Sequence, residues 1–451
     1  MTTPAPALAR DVGALRARFA ADGGLRPIGL GAVHLGPGVL ASLPEVVAEV
    51  RAGAGEVVVL ADRRPLDVKA STAAALGARR VDVGGEDFRP HADAPTIATA
   101  AAAAAGAAAI VSVGSGTVAD IGKAVSARLG GTPHVVVQTA ASVNGFADSE
   151  SVLLIEGVKR TTTTRWPERL VIDTDVIATA PVELNQAGLG DLLATYTAPA
   201  DWLLSRLAGQ DGSYSQAVVG LAREHVDAAV AAAAGIRAGE PGALEDLAAA
   251  LTLSGVSMGV AGRTAPCSGM EHTVSHLLEM ADPASSALHG AKVGILSVLS
   301  ALLWSRVRAA LPGASPRRPA TEEMVERVLD AFAPVDPSGA MGAECWSDYS
   351  RKLARLDALP DLVAAWPSFD AEVDALLAPP ELLAGALRAA GAPTRLSQLG
   401  IEADTARWAL EHCHLMRDRF TVADLAFLLG MWEPDDVDAL LADAERLGVG
   451  L

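Results

Sequence analysis

"VSVGSGTVADIGKAV" (Val111–Val125) runs an apolar, strand-like segment into a tight glycine turn and then into a stretch of helical period. Strand, turn and helix in that order make half of a βαβ unit, and the turn sits where backbone N–H groups and the helix dipole can hold an anion. Gly114, Ser115, Gly116 and Thr117 are the residues so placed, and the missing side chains at 114 and 116 allow a pyrophosphate to approach the backbone. Ala119 completes a G-x-G-x-x-A pattern. The acidic residue that a dinucleotide fingerprint carries about 20 positions later is absent near Gln138, so this is not the ordinary Rossmann signature. A turn demanded by backbone geometry alone would look the same.

The neighbouring sequence repeats the strand and helix alternation. "EVVVLAD" (Glu56–Asp62), "RRVDVGG" (Arg79–Gly85), "AAIVSVG" (Ala108–Gly114) and "PHVVVQTAAS" (Pro133–Ser142) are separated by helical patterns, which predicts a mainly parallel sheet. After Pro181 such runs stop, and segments such as "AREHVDAAVAAAAGIRAG" and "AKVGILSVLSALLWSRVRAAL" carry helical period. The reading is an α/β domain with a Rossmann-like sheet over residues 1–185, followed by an all-α domain over 186–451. The boundary is placed in "TAPVELNQAGLG" (Thr179–Gly190), where proline and small residues interrupt both patterns.

A chain of 451 residues has room for two such cores. Its formal net charge of -18, with no basic stripe, argues against nucleic acid as a partner. Met1–Arg18 lacks a secretory pattern and no strongly apolar span is evident, so the expected location is the cytoplasm, with no membrane contact. Cys267, Cys345 and Cys413 are too few and too scattered for a disulfide framework or a cysteine zinc site.

Four residues outside the turn invite a metal reading. "SGMEHTVSHLLEM" (Ser268–Met280) puts His272 and His276 on one helical face, and "LHGAKVGIL" (Leu288–Leu296) places His289 seventeen residues after His272. Thr273 stands where the metalloprotease HExxH needs glutamate, which rejects that motif. "QAGLGDLLATYTAPADW" (Gln186–Trp202) supplies a carboxylate, Asp191, at the expected domain junction and at what reads as a helix start. Singly, each is as well read as a core histidine or a helix cap; together, two imidazoles and a carboxylate suit a divalent ion in Lewis-acid chemistry. "QTAASVNGFAD" (Gln138–Asp148) adds Thr139, Ser142 and Asn144 at the carboxyl end of a strand, where open α/β sheets collect ligands.

In combination and order, "GSGTVADIGK", "TAAS.NGFAD" with "GVKRT", "AGLGDLLA.....ADW", "SG.EH..SH", "LHG..VG" and "RDRFT" resemble the glycerol-1-phosphate dehydrogenase family, including its bacterial AraM-like branch, within the iron-containing alcohol dehydrogenase and dehydroquinate synthase superfamily. The resemblance spans most of the chain. It implies the dehydroquinate synthase-like fold and metal ligation by Asp191, His272 and His289. It also implies a dinucleotide pyrophosphate on Gly114, Gly116 and Thr117, and a nicotinamide near Thr139 and Ser142. Asp62 is the candidate for the adenosine ribose.

The implied reaction is reduction of dihydroxyacetone phosphate to sn-glycerol 1-phosphate by NAD(P)H, with one zinc, nickel or iron ion on the carbonyl oxygen and a water or His276 as proton relay. Family analogy also implies a homo-oligomer, dimeric or larger.

One departure concerns substrate. Relatives carry Asp where this chain has Asn144, which exchanges a charged acceptor for an amide and puts the exact ketone or polyol in question. For a substrate phosphate the sequence offers Lys159, with Arg160 and Lys292 behind it. Asp62 suits an NAD ribose, whereas Arg63 and Arg64 suit the NADP 2′-phosphate, so the cofactor stays open. The rivals are a sugar-phosphate cyclase or lyase of the dehydroquinate synthase type, which returns its hydride within one turnover, a dehydrogenase for another polyol, and a binding protein that has kept the fold.

Overall fold

The computed structural model describes residues 5–20, 22–62, 67–84, 90–155 and 158–451. Six parallel strands form the main sheet in the order β1-β8-β5-β4-β2-β3. They are β1 (Ala32–Gly36), β2 (Val57–Ala61), β3 (Arg79–Asp82), β4 (Ala109–Gly114), β5 (His134–Gln138) and β8 (Arg169–Asp173). β6 (Glu150–Ile155) and β7 (Val158–Thr163) make a separate antiparallel pair. The four strands expected from sequence are β2 to β5; β1 and β8 extend the sheet beyond them on the β5 side. Neither "AVHLG" nor "RLVID" contains an apolar run like Val57–Ala61 of β2 or Val135–Val137 of β5.

Alternation within the strands explains the layering. Val58, Leu60 and Ile110 join the core of the helices Ala94–Ala103 and Gly116–Arg128. Val57, Val59, Val111, Val113, Val135 and Val137 instead pack with Leu43, Val46 and Val47 of the helix Leu43–Val50. Successive side chains point to opposite faces, so both faces of the sheet are buried and its strands read as continuous apolar runs. The helix after β2 lies on one face and the helix after β4 on the other. The strand order therefore reverses between β2 and β4, and their carboxyl ends form the crevice where open α/β sheets bind ligands.

The chain divides into two compact units: Met1–Leu192 with Ala217–Thr264, and Leu193–Gln216 with Ala265–Leu451. A single boundary after residue 185 is expected from sequence, whereas this division falls after 192 and returns 217–264 to the sheet-bearing unit. Close packing is the reason. A Cβ on Gly255 would lie 2.3 Å from the Asn144 carbonyl oxygen, and one on Gly259 would lie 2.2 Å from the Trp166 ring. The helix Pro241–Ala261 thus rests against the first unit's own loops, which helical period alone does not reveal.

Among the described residues, all regular elements of the second unit are helical. Pro241–Ala261 and His289–Ala310 are long and apolar enough to cross a membrane, although the sequence reading found no such span. Their most apolar windows are 89% and 67% buried inside the protein, as core helices are. Cys267, Cys345 and Cys413 are buried free thiols.

Candidate active site

In the first unit, the glycine turn links β4 to the helix Gly116–Arg128, as the sequence suggested. Neither Gly114 nor Gly116 has positive φ, so the reason for glycine is space: a Cβ would lie 2.7 Å from Val118 at 114 and 2.7 Å from Val143 at 116. The turn is tied to the next strand's end by Thr139 N–H, which donates to the Gly114 carbonyl at 3.1 Å. Gly114, Ser115, Gly116 and Thr117 are thereby placed at the carboxyl edge of β4, with Thr139, Ser142 and Asn144 in the adjacent loop after β5.

That loop is clamped from several sides. Ala141 N–H donates to Asn185 Oδ1 at 3.0 Å, Asn144 N–H donates to Asp191 Oδ2 at 3.1 Å, and the buried Lys123 ammonium donates to the Gly145 carbonyl at 2.7 Å. Lys123 also holds Asp148 Oδ1 at 2.9 Å. Asp191 is buried, and its helix runs Val182–Leu193, so it lies in the last turn and not at a helix start as the sequence suggested. Gly188 and Gly190 are inside the helix. Gly188 is there because a Cβ would fall 1.8 Å from the Ala141 carbonyl oxygen. At residue 144 the backbone N–H does the holding, so this contact does not depend on the side chain.

Asp62 follows β2, but its carboxylate is buried and ion-paired with the equally buried Lys69, so it is not presented to a ribose. Arg63 and Arg64 lie outside the described residues. Of Lys159 only the backbone is described, paired with Leu154 in the β6 and β7 ribbon; Arg160 is in the same strand.

The second unit assembles the three histidines. His272 and His276 project from the helix Met270–Ala281, and His289 opens the helix His289–Ala310. Ring centroids of His272 and His289 are 5.1 Å apart, and those of His276 and His289 are 5.6 Å apart and stacked. Two carboxylates that the sequence reading passed over orient this group. Glu271 Oε1 is 3.0 Å from His272 Nδ1, with its other oxygen accepting from Thr197 Oγ1 at 2.9 Å. Glu279 Oε1 is 3.0 Å from His289 Nδ1 and 2.8 Å from Lys292 Nζ. A carboxylate on Nδ1 makes that nitrogen the donor and leaves Nε2 with its lone pair, the form in which an imidazole can ligate a metal ion. The sequence signal was the acid beside His272 and the acid three positions beyond His276; only contact shows that they serve imidazoles.

Lys292 is buried in its pair with Glu279, which corrects its candidacy for a substrate phosphate. Burial, with the Arg417 guanidinium adding to it, holds the His276 imidazole well below the usual histidine range, so it is neutral. The N-terminus of the histidine helix is fixed by Asp201, which accepts from Met270 N–H at 2.8 Å, Val422 N–H at 2.9 Å and Trp304 Nε1 at 3.1 Å. A Cβ on Gly269 would fall 2.5 Å from that carboxylate, so the site needs glycine there.

Residues 34–181 match the family model of iron-containing alcohol dehydrogenases. The glycerol-1-phosphate dehydrogenase [NAD(P)+] of Bacillus licheniformis is 31% identical over 70% of this chain and 67% of its own length. That of Haloquadratum walsbyi is 34% identical over 62% and 82%. The chain belongs to the glycerol-1-phosphate dehydrogenase family of iron-containing alcohol dehydrogenases. It is thus an oxidoreductase of the metal-containing alcohol dehydrogenase type. Solved structures agree in fold. Glycerol dehydrogenase from Schizosaccharomyces pombe has a TM-score of 0.59 at 16% identity, covering 92% of this chain and 90% of that one. An iron-containing alcohol dehydrogenase from Corynebacterium glutamicum gives 0.56 at 19%, covering 91% and 97%.

Proposed function

We propose that this family member reduces a small keto-phosphate with NAD(P)H, dihydroxyacetone phosphate to sn-glycerol 1-phosphate, using one divalent ion of zinc, nickel or iron. The observation that carries the reading is the histidine pair, each ring seated through Nδ1 on a carboxylate, Glu271 for His272 and Glu279 for His289, the first of them fully buried. Nitrogens of His272 and His289 come within 4.8 Å of each other, and imidazole nitrogen with carboxylate oxygen is a donor set that borderline divalent ions accept. His272, His289 and, by motif match, Asp191 are the proposed ligands. The relatives' names supply the phosphorylated alcohol and the dinucleotide.

When bound, the divalent ion draws negative charge off the carbonyl oxygen and the reduced dinucleotide supplies the hydride. The chain does the rest. Gly114, Ser115, Gly116 and Thr117 receive the pyrophosphate on backbone N–H groups at a helix N-terminus, and Thr139 and Ser142 orient the nicotinamide ring. Glu271 and Glu279 keep the His272 and His289 protons on Nδ1. His276, neutral and with no hydrogen-bond partner at Nδ1 among the described residues, takes a proton from water and passes one toward the product hydroxyl. Asn144 offers an amide to a substrate hydroxyl.

The test is loss of reduced-nicotinamide absorbance with dihydroxyacetone phosphate, on chelated protein and after zinc, nickel or iron is returned. Asp191→Ala and His289→Ala should each lose the metal and nearly all turnover while still binding dinucleotide. Full activity in either variant refutes the ligand assignment. Absence of net NADH oxidation, with metal and dinucleotide bound, refutes the reductase reading.

A further inference from the structure

NADH and NADPH differ by one phosphate, at the 2′ position of the adenosine ribose. In an open α/β sheet a carboxylate at a strand end beside the glycine turn accepts the bare 2′-hydroxyl, whereas a nearby arginine accommodates the 2′-phosphate. β2 and β4 are adjacent and parallel, with Ala61 in register with Val113. Asp62 thus borders Gly114, the first residue of the turn proposed for the pyrophosphate, which makes the end of β2 the ribose side of the site.

Asp62 is already engaged there. Its carboxylate and the ammonium of Lys69, from the following helix Asp67–Leu76, form an ion pair whose side chains are only 2% and 1% exposed. Drawing that carboxylate to a sugar would strand a buried ammonium, which is strongly unfavourable. As a whole the pair is neutral, so the charge that would repel a 2′-phosphate is cancelled where it stands.

The strand on the other side of β2 adds a cation. Val59 is in register with Arg80 and Ala61 with Asp82, so Arg80 and Asp82 share the face of β3 opposite Val81. Arg80 reaches forward to the end of β2, where its Nη2 donates to the Asp62 carbonyl at 3.1 Å. Nε and Nη2 also hold Asp82 Oδ1, each at 2.7 Å. These contacts fix the guanidinium at the strand ends. Its other terminal nitrogen, Nη1, makes no hydrogen bond among the described residues, and the side chain is 32% exposed.

We propose that the dinucleotide site is built for NADPH: Lys69 cancels the carboxylate that would read a bare ribose, and Arg80 receives the 2′-phosphate. The inference rests on the NAD(P)H reading above and names its cofactor. Asp62 taken by itself favours NADH; its partner seven residues along the chain reverses that.

Dinucleotide binding is measured on the metal-loaded protein with no ketone present, by the fluorescence of reduced nicotinamide on titration with NADPH and with NADH. Wild type should bind NADPH about 10-fold or more tightly than NADH, as one charge-assisted bond to phosphate provides. Arg80 is partly exposed, so Arg80→Gln should fold; it should raise the Kd for NADPH by about 10- to 100-fold and that for NADH by less than about twofold. Arg80→Lys should recover part of the loss, since a point charge remains. Asp62→Asn keeps an acceptor for Lys69 and should move the Kd for NADH by less than about twofold on the same scale.

An equal NADPH to NADH preference in wild type and Arg80→Gln overturns the assignment. So does a marked loss of NADH binding in Asp62→Asn, which would return the ribose to the carboxylate. The two readings fail distinguishably. Binding of neither dinucleotide overturns the NAD(P)H reading and this inference with it, whereas equally tight binding of both overturns this inference alone. Arg80-dependent binding of NADPH without turnover of dihydroxyacetone phosphate keeps the inference and refutes the substrate.

Discussion

Gly188→Ala tests how the proposed ligand Asp191 is held. By helix propensity alone the change should stabilise, since alanine inside a helix is favoured over glycine by about 1 kcal/mol. The structure predicts the opposite. The new Cβ would lie 1.8 Å from the Ala141 carbonyl oxygen and 2.8 Å from its carbon, whereas real Cβ contacts stay beyond 3.0 Å. Both partners are backbone, so no rotamer change relieves the clash, and the helix Val182–Leu193 must retreat from the loop after β5 by about 1 Å or more. The same gap carries the Asn144 N–H to Asp191 Oδ2 bond, already 3.1 Å long, and the shift would break it. Overpacking costs about 1–3 kcal/mol and the lost bond to a charged acceptor about 1.5–3 kcal/mol. Offset by the propensity gain, the net is about 3 kcal/mol of destabilisation, which for a unit of this size lowers Tm by about 6–12 °C. Calorimetric melting of the chelated protein reads the stability, and bound metal per chain after reloading reads the ligand. An unchanged or raised Tm with full metal content would refute the contact and its role in placing Asp191.

Glu279→Gln and Glu271→Gln each exchange an orienting carboxylate for an amide and should lower metal affinity by about 10- to 100-fold, read by equilibrium dialysis against zinc; unchanged affinity in both would refute the idea that these carboxylates set the imidazoles for metal. His134 is fully buried beside Ser112 Oγ at 2.9 Å, and burial, helped by Lys123 and Arg165, lowers its pKa to about 3. A depressed histidine keeps its full stability above the unfolded value near 6.5 and loses it as pH falls toward 3. By about pH 4.5 this one group should have cost about 2–3 kcal/mol, so urea unfolding of His134→Gln should show a shallower acid loss than wild type. Parallel pH profiles would refute it.

The strand, turn and helix at Val111–Val125, the parallel sheet and the helical character of the second unit are all legible along the chain. These are local: apolar runs, glycine breakers and helical period are written in neighbouring residues. The identities of His272, His276 and His289 were equally legible, because four-residue spacing puts two of them on one face before any packing. Tertiary packing fixes which groups meet. It showed that Asp62 is occupied by Lys69, that Lys292 is neutralised by Glu279, and that Asp191 ends a helix whose glycines serve contact and not a turn. It returned residues 217–264 to the sheet-bearing unit, since a helix's period does not name its partner. Contacts between residues distant in the chain depend on how elements pack, and neither spacing nor composition encodes them.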